Sequence, residues 1–179
     1  MASLVERIVG AAKLDPATYE EVEADQTATP QAMVVVVLAN LAAGVGALRL
    51  VGISGLLVAT LVSLIGWYVW AFVTYFVGTR FLPGPKTQAD VGQLLRTLGF
   101  SASPGLIRVV GIIPGLNAMA SFIAAVWMLI AMVVAVRQAL DYDTTGRAVA
   151  VCLVGFACYI VVGVVLGTLL GVTAAIVGH

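Results

Sequence analysis

The sequence predicts an all-α protein: a polytopic transmembrane helical bundle with five membrane segments. Three observations carry that prediction. Of the 179 residues, 61% are hydrophobic and 10% charged, and the mean hydropathy is +1.10. A soluble domain of this size has no core large enough to hide so much apolar surface. Four apolar runs, Ala32–Leu48, Val51–Val77, Leu116–Val136 and Ala148–Val177, dominate the chain. Each meets or nearly meets the roughly 20 residues that cross a hydrocarbon core of about 30 Å. The runs are continuously apolar, whereas barrel strands alternate over about 10 positions.

The elements follow in chain order. Ala2–Leu14 reads as a short amphipathic helix. Leu4, Val5, Ile8, Val9 and Ala12 recur at helical spacing, with Glu6, Arg7 and Lys13 on the other side. Such a segment either lies in the headgroup region, apolar face down, or frays. Met1–Leu14 is too polar for a cleavable signal. Asp15-Pro16 opens a second, acidic helix with Glu20, Glu21 and Glu23, because Asp15 caps free N–H groups and Pro16 suits the first helical position. Thr29-Pro30 repeats that signal where the first span begins. Residues 1–29 are thus read as cytoplasmic amphipathic and acidic helices, and 30–179 as a single transmembrane domain.

Its segments are placed at 30–48, 52–78, 104–114, 116–137 and 147–177, with a cytoplasmic loop over 79–103. Arg49, Gly52 and Gly55 mark the turn between the first two. Trp67, Trp70 and Tyr75 in the second, with Arg108 in the third, are expected as interfacial anchors. Pro83-Gly84-Pro85 stops the second helix. Thr87–Leu98 is expected as a surface helix with Val91, Leu94, Leu95 and Leu98 on one face. The third segment, Leu106–Ile113, is short and bracketed by Pro104-Gly105 and Pro114-Gly115.

Basic residues flag the cytoplasmic side. With five crossings and the N-terminus inside, Arg7, Lys13, Arg80, Lys86, Arg96, Arg137 and Arg147 are all cytoplasmic, and Arg49 alone is outside. If Leu106–Ile113 turns back instead, Arg137 and Arg147 move outside and the bias weakens. Charge therefore favours five crossings, and length opposes the third. A broken helix covered by protein reconciles the two.

Little in the chain carries chemistry. Nine basic residues balance nine acidic ones with no basic stripe, which argues against nucleic acid. Cys152 and Cys158 lie inside the last apolar run as small hydrophobes, and His179 is the only histidine, so neither a metal site nor a cofactor is expected. Asp141 and Asp143 read as solvated loop charges, and no nucleotide-binding or hydrolase motif is present. No catalytic residue is assigned. Arg108 is expected to snorkel to the cytoplasmic surface or to pair with a loop acid. Gly163, Gly167 and Gly171 share one face of the last span, either for packing within the bundle or for homodimerisation. Gly111 and Gly115 have the same spacing but flank Pro114, which suits a turn.

Several stretches resemble prokaryotic Yip-family (Ypt-interacting-protein-like) membrane proteins. Leu14-Asp15-Pro16-Ala17-Thr18-Tyr19-Glu20-Glu21-Val22, Asp25 and Ala28-Thr29-Pro30-Gln31-Ala32 look like the approach to that family's first span. Leu94–Phe100, Ser103-Pro104-Gly105 and Ile113-Pro114-Gly115 are similar to its middle region. Val126-Trp127, Val136–Leu140 and Gly146-Arg147-Ala148 look like its fourth span and following loop. The resemblance runs from about Leu14 to Gly171. It implies five membrane segments, a cytoplasmic N-terminus and a C-terminus outside. Eukaryotic members are associated with Rab-type GTPases, but the Asp-Leu-Tyr-Gly-Pro-type motif is replaced by Asp-Gln-Thr-Ala-Thr-Pro at 25–30, so GTPase binding is not carried over.

The expectation is a non-enzymatic scaffold or membrane organiser in a prokaryotic plasma membrane. Its partners would be the bilayer and other membrane subunits or a second copy. The alternatives are an accessory subunit of an energy-transducing or photosynthetic complex, and a small transporter or channel.

Overall fold

In a computed structural model, every regular element among the described residues is helical, as expected. The structure describes residues 2–45, 48–113 and 115–177; the side-chain surroundings of 45, 48–51, 162, 163, 166, 167 and 169–177 lie outside it. Two short helices, α1 (Leu4–Ala12) and α2 (Pro16–Ala24), lead into α3 (Thr29–Val45). Then come α4 (Leu48–Phe76), closed by a π-helical turn over Val77–Phe81, and α5 (Val91–Phe100). A 3₁₀ stretch, Ser103–Ile112, leads to α6 (Asn117–Ala139) and α7 (Thr145–Val177).

The helix starts follow from local chemistry. Ser3 and Glu6 form a capping box on α1, with Ser3 Oγ accepting from Glu6 N at 3.3 Å and Glu6 Oε2 from Ser3 N at 2.7 Å. Asp15 caps α2 ahead of Pro16, as the sequence predicts. Asp90 and Gln93 form a second capping box on α5. Gly52 holds φ +64, a left-handed bend near the start of α4 that a side chain would strain.

Burial separates a dry heart from a bare girdle. Gln26–Gly44, Gly52–Phe81 and Asn117–Ala139 are long and apolar enough to cross a membrane. Within Gly52–Phe81 an 18-residue apolar part is only 6% buried, with Ile53, Leu57, Leu61 and Ile65 all facing outward. Phe122 on α6 and Leu153 on α7 are similarly bare. Apolar surface on this scale is stable against lipid and not against water. The core lies toward one end, where α1, α2 and α5 pack with α3 and the C-terminal half of α6.

Two expectations change here. Arg7 is not on an outward polar face: it is buried, with Ala11, while Val5 and Val9 face out. The cause is the acidic neighbour helix, which offers Arg7 partners inside. The Thr87–Leu98 surface helix begins instead at Val91, and every residue from Leu94 to Phe100 is buried. It packs against α2, α3, α4 and α6, so it is an inner helix of the bundle. Arg96 disguised this, because its charge is neutral to packing only when a partner covers it.

The 3₁₀ stretch lies between α3 and α6. At about 2.0 Å per residue its ten residues cover roughly 20 Å, less than a hydrocarbon core. Helices flank it, which is the condition under which irregular backbone persists at membrane depth. Close approach is set by Gly105, where an added Cβ would stand 3.2 Å from Ala39 Cβ and 2.9 Å from Met128 Sδ.

Candidate functional site

Two neighbouring features hold the polar groups that the bundle removes from the surface: a docked N-terminal cap and a cavity among the spans. In the cap, Arg7 joins α1 to everything around it. Its Nη2 donates to Glu21 Oε1 at 3.0 Å and Asp25 Oδ2 at 2.6 Å, and its Nη1 to Gln31 Oε1 at 3.0 Å. Gln31 belongs to α3, so the cluster ties the cap to a span. Trp127 of α6 donates from Nε1 to Ala12 O at 2.8 Å, and the Tyr19 hydroxyl to Ala11 O at 3.1 Å. These carbonyls end α1, where intrahelical donors run out; Ala11 O also accepts from Leu14 N at 3.0 Å.

The end of α2 is closed differently. Arg96, buried in α5, donates from Nε to Val22 O at 3.0 Å and to Glu23 O at 3.1 Å, and Nη2 also reaches Glu23 O. A cation at a helix C-terminus meets both the free carbonyls and the negative end of the dipole. Beside it, Glu23 accepts from Gln93 Nε2 at 3.0 Å. Burial, then the nearby Asp141 carboxylate, pushes Glu23 up to about 7, with Glu20 and Asp90 adding to the rise and Arg96 opposing it.

That shift has a signed consequence. A carboxyl raised in the folded state favours folding while protonated, and the advantage is lost as pH climbs from its ordinary 4.5 through about 7. Asp25 is displaced the other way, to about 2, by Thr27 and then Arg7, so its contribution fades only in acid below the ordinary carboxylate range. Amide protection over residues 16–24, relative to the intrinsic exchange rate at each pH, is therefore expected to fall several-fold between pH 5 and pH 8, moderated by solvent screening of a half-buried group. Glu23→Gln should flatten that profile. An unchanged slope in the variant would remove Glu23 from the account.

The cavity, about 530 Å³, is bounded by α3, α4, α5, the 3₁₀ stretch, α6 and α7. Its polar lining comes from Asn40, Ser63, Trp67, Trp70, Arg108 and Tyr159, with Ser101 beside them. Most of these groups are satisfied locally. Asn40 Nδ2 donates to Val36 O at 2.8 Å, Ser63 Oγ to Thr60 O at 3.1 Å and Trp67 Nε1 to Leu95 O at 3.1 Å. Trp70 meets Tyr159 edge to face with ring centroids 6.0 Å apart. Trp70 Nε1 and Arg108 Nε are buried without a hydrogen-bond partner.

The expected anchors thus have specific places. Trp67 and Trp70 wall the cavity, and Tyr75 is half-buried against the core. Of the two arrangements expected for Arg108, snorkelling or pairing with a loop acid, no ion pair is present among the described residues. The loop acid Asp143 instead pairs with Lys86 at 3.0 Å. Gly111 is buried, and a Cβ there would sit 3.2 Å from Asn117 Cα; Gly115 turns the chain at φ +87. Gly163, Gly167 and Gly171 fall within α7, but their surroundings lie outside the described residues. Arg7, Arg96 and Gly99 were not singled out by spacing. For Gly99 the signal lay in the buried small-residue stripe of α3, Ala32, Ala39 and Ala42, since Ala32 is the residue it meets.

A family model described as the Yip1 domain matches residues 14–166. No curated protein matches, and no solved structure matches. Among the described residues, no group of three or more His, Cys, Asp or Glu side chains is placed to hold a metal ion.

Proposed function

The chain belongs to the Yip1 domain family, and on that premise we propose that it is a non-enzymatic membrane organiser. In this reading it presents a rigid cytoplasmic platform at the surface of a prokaryotic plasma membrane. The observation that carries the reading is the way the cap is fastened. Arg7, Arg96 and Trp127 each join α1 or α2 to a different helix of the bundle, α3, α5 and α6 respectively. A segment merely adsorbed to lipid needs no such fastening. The platform offers two chemistries: the outward Val5 and Val9 toward lipid, and the exposed acids Glu20, Glu21 and Asp141 toward a soluble partner.

The proposed topology has five crossings, with residues 1–29 and 79–103 cytoplasmic and the far end of α7 outside. Hydrogen bonds from Gln138 Nε2 to Glu20 Oε1 and from the Tyr142 hydroxyl to Leu82 O keep the cap, the 79–103 connection and the α6–α7 loop at one end. The α6 helix then runs about 34 Å to its other end near Asn117. Single cysteines at Glu20, Asp143 and Ala118, in a chain lacking Cys152 and Cys158, test this with an impermeant thiol reagent. Glu20→Cys and Asp143→Cys should label from the cytoplasmic face and Ala118→Cys from the opposite face. Ala118→Cys labelling from the cytoplasmic face together with Glu20→Cys, and Asp143→Cys from the opposite face, would mean that the 3₁₀ segment turns back. Gentle extraction and native mass spectrometry supply the test of role: a monomer or homodimer supports a stand-alone organiser, and an assembly with foreign subunits replaces it.

A further inference from the structure

We propose that the cavity beneath the cap is a binding site for an anionic amphiphile whose oxyanion sits on Arg108. Three observations lead there, and they stand whether or not the organiser reading holds. The first is the chemistry of the unmet atoms. Arg108 Nε and Trp70 Nε1 are both buried and unpartnered, and both are donors. Their complement is an acceptor. One belongs to the guanidinium of half-buried Arg108, a fixed cation. The fitting acceptor therefore carries negative charge.

The second is the absence of an internal answer. No Asp or Glu lines the cavity, and Arg108 has no ion pair among the described residues. The two buried arginines are treated differently. Arg7 meets two carboxylates and Arg96 meets two backbone carbonyls. Arg108 alone of the three has a cavity in place of a partner.

The third is the apolar wall. Met128, Leu129, Met132 and Phe156 face the same space. Leu129 and Phe156 are also 59% and 57% exposed on the outer face of the bundle, so the cavity borders the surrounding lipid. A charged group with an attached chain could slide in from that side, its head at Arg108 and its chain along methionines that adapt to irregular shapes. A volume near 530 Å³ is within the range of about 300–1,000 Å³ usual for such sites.

The test uses the full chain, purified and delipidated in a neutral detergent. Phosphatidylglycerol, phosphatidylcholine with the same chains, and inorganic phosphate are added separately, and bound lipid and melting temperature are read by native mass spectrometry and thermal shift. Phosphatidylglycerol should bind and stabilise, and the other two should not. Arg108→Gln should weaken phosphatidylglycerol binding about tenfold or more, the loss expected for charge-assisted hydrogen bonds, with Arg108→Lys between it and the parent. Leu129→Trp, at an exposed position that leaves the core intact, should block the chain and weaken the same binding. Equal binding of the two lipids overturns the proposal. So does stabilisation by inorganic phosphate as large as that by lipid, which would mark a free-ion site. Undiminished binding in both Arg108→Gln and Leu129→Trp would place the lipid elsewhere.

Discussion

Gly99→Val is expected to be the most damaging single substitution away from the cavity. At Gly99, α5 lies directly against α3: an added Cβ would stand 2.6 Å from Ala32 Cβ and 3.2 Å from the Ala32 Cα and carbonyl carbon. Those neighbours are backbone and a methyl group fixed to it, so no rotamer change makes room. The two helices must separate, and α5 cannot yield easily because it is buried from Leu94 to Phe100. Overpacking a tight core costs about 1–3 kcal/mol and more where the backbone has to shift. We expect Gly99→Ala near the lower end of that range and Gly99→Val at or beyond its upper end. Gly146→Ala is the matched control, with nothing within 4 Å of the added carbon, and should fall within about 0.5 kcal/mol of the parent. Thermal melts in one detergent decide it. A Gly99→Val protein melting with the parent would mean that α5 and α3 do not approach as closely as this.

The contrast between Gly99 and the glycines of the last span shows what was legible. Composition and run length were enough to establish an all-helical membrane protein, because the bilayer imposes those constraints locally, residue by residue. Asp15-Pro16 was legible as a helix start for the same reason: a cap acts within one turn. The inner position of α5 was not, because Arg96 and Thr97 interrupt its apolar pattern and are tolerated only through long-range partners. Arg96 is met by carbonyls more than seventy positions earlier in the chain. Arg7 likewise read as surface charge until the fold brought Glu21, Asp25 and Gln31 around it. The cavity is the extreme case. Asn40, Ser63, Arg108 and Tyr159 come from four separate elements, and nothing in their spacing announces that they share one space.

The second large effect follows from Arg96. Arg96→Met keeps much of the buried stem volume and removes the three donated hydrogen bonds, leaving the carbonyls of Val22 and Glu23 without that partner at a buried helix end. Each unsatisfied buried group costs about 1–3 kcal/mol, so a loss of roughly 2–4 kcal/mol is expected. It should fall on the cap: amide exchange over residues 16–24 quickens while α4 keeps its protection, because α2 and α4 are fastened independently. Arg96→Lys, with one compact charge in place of a planar fork, should recover part of the loss. Loss of the positive charge also acts on Glu23. Arg96 opposes the rise of that carboxyl, so its removal should carry Glu23 above its value of about 7. The pH interval over which the cap loosens then extends upward, and Arg96→Met should be closest to the parent in acid and furthest from it above neutrality. A purely steric role for Arg96 predicts the same loss at every pH. The slope of the difference between variant and parent, measured from pH 5 to pH 9, separates the two.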